Sequence, residues 1–168
     1  MKTTLFVFIA VAVVIVAVMA IGTMLPKRHI VSRSAVFHAG AEKLFSLANG
    51  TQAWRPDVKT CTITEHNGQR YQQETDRHGH AILYEVEAAD SDRIVRRIAT
   101  HGLPFGGSWT ITFTPEDGKT RVRITEDGEV YNPVFRFISK FVMGETATID
   151  AYLKAMGKTV GEDVEIGK

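Results

Sequence analysis

The sequence is poor in residues on which several common classes of protein depend. It contains one cysteine, Cys61, in 168 residues, which excludes an internal disulfide framework and a cysteine-rich zinc site. Residues 26–168 carry 19 acidic and 19 basic side chains, so their formal charges balance. This balance argues against a protein that binds nucleic acid through bulk positive charge, and we expect no nucleic-acid partner.

Phosphate-binding and metal-binding motifs are also missing. Gly106-Gly107 precedes a strand-like segment and is not followed by a Lys-Ser/Thr pair, so it does not match a phosphate-binding loop. His78 and His80 form the only close histidine pair, and on a strand they would share a face. No third ligand occurs at a useful spacing and Gly79 indicates a turn. We therefore expect neither a metal nor a cofactor.

One long apolar run dominates the N-terminal end. Residues 5–25 read LFVFIAVAVVIVAVMAIGTML, and a helix of this length spans roughly the 30 Å hydrocarbon core of a bilayer. The run is apolar on every face, unlike a helix that packs on a soluble domain. A cleaved signal peptide, ending after Val18-Met19-Ala20, is the alternative, but the hydrophobic residues continue to Leu25. The sequence predicts an uncleaved, single-pass membrane anchor over residues 1–26 and an attached domain over residues 27–168.

The orientation of this anchor depends on few charges. Lys2 and the α-amine lie on one side of the apolar run, and Lys27, Arg28 and Arg33 lie on the other. Positive-inside counting favours a cytoplasmic domain by about one charge. The opposite arrangement stays open.

The remaining chain has a β-rich centre between helical ends. Residues 29–37 indicate a first strand and residues 41–48 a short helix. From about residue 58 to residue 130, alternating apolar residues are separated by turn dipeptides such as Asn67-Gly68 and Asp117-Gly118. This pattern predicts about seven short antiparallel strands in all. Asn132-Pro133 then begins a long amphipathic helix, in which Gly144 marks a bend.

Four stretches in this order resemble a known superfamily. They are FHAGAEKLFSLANGTQAWRPDV, GGSWTITFTPEDGKTRVRITEDGEV, YNPVFRFISKFVMG and TIDAYLKAMGK. Together they are similar to the SRPBCC (START-like, polyketide cyclase/dehydrase) superfamily over about residues 29–158. Gly40 is a departure, because the family commonly has proline before its first helix. The resemblance implies an α+β helix-grip fold, in which an antiparallel sheet of about seven strands wraps around a long C-terminal helix and leaves a ligand-binding cavity.

The resemblance implies a cavity but names no reaction. We expect a membrane-anchored domain that binds a hydrophobic small molecule or lipid and is not an enzyme. One alternative is a polyketide cyclase/aromatase-like enzyme that uses the same cavity. Another is a protein-interaction module whose cavity is filled by core side chains.

Aromatic side chains are the candidate lining of this cavity, although each also fits a plain core position. The candidates are Trp54, Tyr71, Tyr84, Trp109, Phe105, Phe113, Phe135 and Phe141. Phe105 lies in the loop HGLPFGG, which fits either a gate at the cavity mouth or a simple hairpin loop.

Glu126 and His101 are the candidate catalytic residues. Glu126 has the same strand parity as Val122 and Ile124, which directs it inward. His101 on a neighbouring strand would complete an acid–base pair. The alternative places both residues at the solvated end of the sheet.

Overall fold

The computed structural model describes residues 2–168. The elements follow in the order α1 (Lys2–Met24), β1 (Arg28–Phe37), α2 (Ala41–Asn49), β2 (Val58–His66), β3 (Gln69–Asp76), β4 (Ala81–Asp90), β5 (Arg93–Ile98), β6 (Phe105–Glu116), β7 (Lys119–Val130), α3 (Pro133–Ile138), a π-helical turn (Ser139–Met143) and α4 (Ala147–Val160). This is the α+β arrangement that the sequence predicts.

The seven described strands form one antiparallel sheet in the order β1-β7-β6-β5-β4-β3-β2. Strands β2 to β7 are each hydrogen-bonded to the next, and β1 joins the sheet beside β7. The connections at Asn67-Gly68 and Asp117-Gly118 have positive φ at both residues, which is the backbone conformation that two-residue hairpins need. The seven-stranded antiparallel sheet and both hairpins are therefore confirmed.

One face of the sheet, called the inner face here, packs against α2 and α4 to form the core. The largest buried side chains of this core are Phe37, Leu44, Ile94, Ile111, Phe113, Ile124, Ile149, Leu153 and Met156. In α4 the spacing of Ile149, Leu153 and Met156 aligns them as one apolar stripe towards the sheet. Phe113 is 2% exposed and belongs to this core.

The C-terminal helical segment differs from the single long helix that the sequence predicts. Asn132 does cap a helix, because its side chain accepts hydrogen bonds from the backbone N–H groups of Val134 and Phe135. However, the segment does not merely bend at Gly144, which has a φ of +82° and separates the π-helical turn from α4. Within this C-terminal segment, only α4 covers the inner face. Helix α3 packs against α1 instead, and the π-helical turn packs against α3. Residues 133–143 together are called the α3 arm below.

The N-terminal helix carries a stretch, Thr4–Met24, that is long and apolar enough to cross a membrane. By length and composition it fits either a membrane anchor or a signal sequence. The chain joins the folded domain soon after α1 ends, because the backbone N–H of Val130 donates to the carbonyl of Lys27.

Candidate functional site

The inner face carries an ion pair beside its apolar core. Arg55 precedes β2, and its Nη1 donates to Oε2 of Glu74 at 2.8 Å. Gln72, on the same strand and face as Glu74, donates from Nε2 to the other carboxylate oxygen at 2.9 Å. The Arg55 and Glu74 side chains are only 14% and 8% exposed. A pair so far removed from water needs hydrogen bonds on both partners, and these contacts supply them.

Three aromatic rings adjoin this ion pair. Tyr152 of α4 makes edge-to-face contacts with Trp54 and Trp109, with ring centroids 5.0 Å and 5.7 Å apart. The Arg55 guanidinium lies over the Tyr152 ring, 5.4 Å from its centroid, which is a cation–π distance. Tyr152 therefore joins the aromatic part of the inner face to the charged part.

Arg96 and Tyr84 complete this cluster from the neighbouring strands. Arg96 donates from Nη2 to the carbonyl of Ala48, at the C-terminal end of α2, where carbonyl groups lack helical partners. Tyr84 lies opposite Gln72 in the sheet register, so both side chains share the inner face. We call this set the interior cluster; its members are Trp54, Arg55, Gln72, Glu74, Tyr84, Arg96, Trp109 and Tyr152.

Burial fixes the protonation states in the interior cluster. Burial raises the pKa of Tyr84 and of Tyr152 above that of an ordinary tyrosine, so both hydroxyls stay protonated at neutral pH. Burial alone would lower the pKa of Arg55, but the Glu74 and Asp57 carboxylates outweigh it and raise that pKa. The cluster thus offers neutral phenols beside a fixed positive charge and its counter-ion.

Two buried polar atoms of the cluster lack hydrogen-bond partners within the described residues. They are the Tyr152 hydroxyl oxygen and Nε of Arg96. The two groups are neighbours, because the Arg96 guanidinium lies near enough to the Tyr152 hydroxyl to offset part of the effect of burial on its pKa, but no hydrogen bond of good geometry joins them. Tyr152 is 3% exposed, and a buried polar atom without a partner costs about 1–3 kcal/mol. Such atoms call for a bound water or the polar group of a ligand.

Glu126 points inward, as the strand parity predicts, but its hydrogen-bond partner differs from the expected one. Its Oε2 accepts from the indole Nε1 of Trp109 at 2.7 Å, and its Oε1 lies 3.2 Å from Nε2 of His29. His29 is on β1, opposite Gly128 of β7. The expected partner, His101, is instead exposed in the loop after β5. The sequence does not predict the contact between His29 and Glu126, because the two residues lie 97 positions apart on different strands.

The loop that follows β5 borders a cleft of about 280 Å³. Its walls include Arg97, His101, Leu103, Phe105, Glu129 and Tyr131. Phe105 thus lies at a cleft, although whether it gates the interior stays a prediction.

The structure brings together only part of the predicted aromatic lining. Trp54, Tyr84 and Trp109 all belong to the interior cluster. Tyr71 lies on the opposite face of the sheet, because its neighbour Gln72 takes the inner position.

The two phenylalanines predicted from the C-terminal helix also lie elsewhere. Phe135 and Phe141 are exposed on the α3 arm. They do not line the inner face, because the chain breaks at Gly144 before it returns to the sheet.

Several members of the interior cluster were not among the predicted site residues. Arg96 had a usable signal, because it alternates with the apolar residues Ile94 and Ile98 and therefore points inward. Gln72 and Glu74 had none, since β3 is polar on both faces. Tyr152 follows the helical spacing of Ile149 and Met156 and is typical of a plain core position.

The histidine pair His78 and His80 lies in an exposed turn. Nδ1 of His80 is 3.0 Å from Oδ2 of Asp76, and this hydrogen bond lowers the pKa of Asp76 to about 2. Within the part of the chain that the structure describes, no three His, Cys, Asp or Glu side chains meet in a group that could hold a metal ion.

Solved structures of similar fold come from bacteria and plants. A START superfamily protein from Mycobacterium smegmatis has a TM-score of 0.64 and 22% identity, over 79% of this chain and 97% of that chain. A protein from Thermus thermophilus has a TM-score of 0.63 and 21% identity, over 79% of this chain and 97% of that chain. Truncated norcoclaurine synthase from Thalictrum flavum has a TM-score of 0.62 and 17% identity, over 80% of this chain and 94% of that chain. At these identities the likeness establishes the fold alone.

The sequence itself also matches a family. No curated protein sequence matches this chain, but the model of the family described as "Polyketide cyclase / dehydrase and lipid transport" matches residues 28–159. This match covers well over half of the chain and agrees with the START-like fold. The protein therefore belongs to the polyketide cyclase/dehydrase and lipid transport family.

Proposed function

We propose that the protein binds a hydrophobic small molecule or lipid that carries a polar group, between the inner face of the sheet and α4. The observation that carries this proposal is the Tyr152 hydroxyl, which is buried among aromatic rings and, within residues 2–168, has no hydrogen-bond partner. The family description, which includes lipid transport, supports the same class of ligand.

The chemistry of the interior cluster suits an amphiphilic ligand. Trp54, Trp109 and Tyr152 offer apolar ring surface, which supplies most of the contact area in small-molecule sites. The Tyr152 hydroxyl and Nε of Arg96 offer two donors for the polar end of the ligand. Even where Arg96 donates to the Tyr152 oxygen, the hydroxyl proton needs an acceptor, which a purely apolar ligand cannot supply. We therefore expect a hydroxyl, carbonyl or carboxylate group on the ligand.

We further propose that α1 anchors this domain to a membrane. The length and composition of Thr4–Met24 support a span. The close packing of α1 against the α3 arm, which buries Gly22, supports a helix retained in the folded protein. A sparingly soluble ligand partitions into the bilayer, so anchoring keeps the binding site near its supply. The distribution of basic residues favours a cytoplasmic domain.

Mass spectrometry of organic extracts tests the binding proposal. The full chain is purified in detergent and compared with Tyr84→Trp, which adds bulk to the interior cluster, and with Tyr71→Trp, which adds the same bulk to the outer face. We expect one apolar molecule in stoichiometric amount in the parent and in Tyr71→Trp, and its loss from Tyr84→Trp.

Two outcomes of this experiment would overturn the proposal. One is equal amounts of the same lipids in all three samples, which would mean adventitious detergent-phase lipid. The other is a folded parent without any bound molecule, which would favour the interaction module with a filled core.

A cyclase- or dehydrase-like enzyme is the second candidate, and one contact favours it. The Glu126 carboxylate lies between the His29 imidazole and the Trp109 indole, so a carboxylate and an imidazole are within proton-transfer reach. If the ligand identified by extraction is turned over, Glu126→Gln should abolish turnover while the ligand stays bound. Unchanged turnover in Glu126→Gln would remove this candidate.

A further inference from the structure

The α3 arm exposes a group of large apolar side chains. Phe135, Phe141, Val142 and Met143 are 47%, 60%, 71% and 65% exposed. Three of them are consecutive, and contiguous apolar surface of this kind marks a contact with a partner or a membrane. The same arm precedes the break at Gly144 and does not cover the inner face.

The arm packs against the last two turns of α1. Most side chains of α1 from residue 4 onward are exposed, whereas Val18 and Leu25 are partly buried and Gly22 is fully buried. These three positions are four and three residues apart, so they form one stripe along the helix. A Cβ atom on Gly22 would overlap the backbone carbonyl of Pro133. Glycine thus permits the closest approach between α1 and the arm.

Arg136 links the arm to the end of α1 by side-chain hydrogen bonds. Its Nη1 donates to the carbonyls of Gly22 and Leu25, both at 3.0 Å. Its Nε and Nη2 donate to the carbonyls of Val130 and Tyr131, also at 3.0 Å. The carbonyls at the end of a helix lack helical partners and carry partial negative charge. A buried guanidinium that satisfies them makes α1 and the domain one unit.

This attachment sets the depth of the arm in a bilayer. If Thr4–Met24 spans the hydrocarbon core, Val18 lies about 9 Å inside its end and Gly22 about 3 Å inside. A segment that packs on these residues lies at the boundary between the acyl chains and the headgroups. Amphipathic segments at the surface bury their apolar face about 5–10 Å into this boundary.

The arm also meets the chemical demands of that layer. Its helical backbone groups bond one another, and the Asn132 side chain caps its first N–H groups. Lys140, its exposed cation, pairs with Glu145 at 3.1 Å and has a long side chain that can reach the headgroups.

We propose that the α3 arm is a second membrane-contacting element, whose exposed face lies among lipid acyl chains in the leaflet next to the domain. This inference rests on the proposed anchoring by α1. The partner is the lipid bilayer itself. The arm, fixed by Gly22 and Arg136, then holds the domain in one orientation against the membrane surface.

Depth-dependent fluorescence quenching tests this inference in the full chain. Single cysteines are placed in a Cys61→Ser background by Val142→Cys on the arm, Val14→Cys at the middle of α1, and Lys119→Cys at the far end of β7. Lys119 lies about 36 Å along the strand from Val130. Each cysteine carries an environment-sensitive fluorophore, and the protein is reconstituted in phosphatidylcholine nanodiscs with nitroxide-labelled lipids.

The inference predicts a different result at each position. The probe at residue 142 should show blue-shifted emission and stronger quenching by shallow than by deep nitroxides. The probe at residue 14 should be quenched most by deep nitroxides, and the probe at residue 119 by neither. No quenching at residue 14 would overturn the anchoring itself. Quenching at residue 14 without quenching at residue 142 would overturn only the second contact.

A measurement without cysteine substitutions guards against misfolding of the variants. The unaltered chain in nanodiscs that contain photoreactive acyl chains should form lipid crosslinks within α1 and within residues 133–143, and none in the β6–β7 hairpin. Crosslinks confined to α1 would overturn the inference. Blue-shifted emission at residue 142 without lipid quenching or lipid crosslinks would also overturn the inference. Such a result would indicate that a second copy of the chain or another protein covers the arm.

Discussion

The guanidinium of Arg55 and the carboxylate of Glu74 are joined at 2.8 Å directly beside the ring of Tyr152. An ion pair at this position is costly, because an apolar pair of similar volume would pack the inner face without desolvating two charges. Its two charges act in opposite directions on the pKa of the Tyr152 hydroxyl, which Arg55 lowers and Glu74 raises, and Arg55 has the larger effect of the two. Its position therefore fits a site that orients the polar end of a ligand better than a site that only fills the core.

Removal of one partner of this pair should destabilise the fold strongly. Glu74→Gln leaves the Arg55 charge buried with only Asp57 as its counter-ion, and breaking a buried pair costs about 3 kcal/mol. For a chain of this length the melting temperature should fall by roughly 6–12 °C. Thermal unfolding of the full chain in detergent measures this.

Glu65→Gln is the matched control, because Glu65 is an exposed carboxylate on the neighbouring strand β2. We expect its melting temperature to stay within about 2 °C of the parent, as for most surface substitutions. Equal melting temperatures for the two variants would mean that the Arg55–Glu74 pair contributes nothing to stability.

Local chemistry explains which parts of the fold the sequence predicts. Asn67-Gly68 and Asp117-Gly118 specify hairpins through their own backbone preferences, and Asn132 caps a helix through its own side chain. Strand parity likewise directs Tyr84, Trp109 and Glu126 inward. Each of these features depends on residues that are close in sequence.

Contacts between distant residues explain the parts that the sequence does not predict. Arg136 bonds Gly22, a residue 114 positions away, and no pattern near either residue indicates the contact. The α3 arm has the same helical periodicity as α4, so its departure towards α1 is invisible in the sequence. Strand β3 is polar on both faces, so its pattern does not show which face is buried, and Tyr71 was predicted to line the cavity only because it is aromatic.

Tyr152→Phe should separate ligand binding from stability. The substitution removes a buried hydroxyl that has no partner in the described part of the chain, so the protein should be as stable as the parent or more stable by about 1 kcal/mol. Ligand affinity should fall by up to about tenfold, because one hydrogen bond of about 1.4 kcal/mol is lost. The ligand recovered in organic extracts and the melting temperature are measured together.

Tyr71→Phe provides the control for this experiment, since it removes the same atom from the outer face. It should leave the amount of bound ligand unchanged. Loss of stability in Tyr152→Phe with full ligand occupancy would contradict a binding role for the hydroxyl.

Gly22→Ala should loosen the α3 arm from α1. The added Cβ meets the backbone of Pro133, which cannot yield as a flexible side chain would, and overpacking of this kind costs about 1–3 kcal/mol. Displacement of the arm breaks the hydrogen bonds of Arg136 and exposes its peptide bond. We therefore expect faster tryptic cleavage after Arg136 in detergent, measured by mass spectrometry of the fragments.

The control for this change is Gly40→Ala, because a Cβ there meets nothing within 4 Å and its φ of −66° suits any residue. It should be cleaved after Arg136 at the parental rate. If both variants are cleaved equally, the close approach of α1 and the arm is not needed to protect Arg136.

Acid should weaken the attachment of the C-terminal tail through Glu162. Partial burial acts to raise the pKa of this carboxyl group, but the backbone N–H groups of His38 and Ala39, at 2.7 and 2.8 Å, outweigh it and lower the pKa below 4.5. Because the pKa is lower in the folded state, the stabilisation is present above about pH 4.5 and disappears as the pH falls through the folded-state value. The melting temperature of Glu162→Gln should therefore be lower than that of the parent at pH 7, and the two melting temperatures should converge towards pH 3.

Glu165→Gln, which removes an exposed carboxylate from the same tail, is the control, and its melting temperature should follow that of the parent across this range. A constant difference between the parent and Glu162→Gln from pH 7 to pH 3 would show that the charge of Glu162 is not what holds the tail.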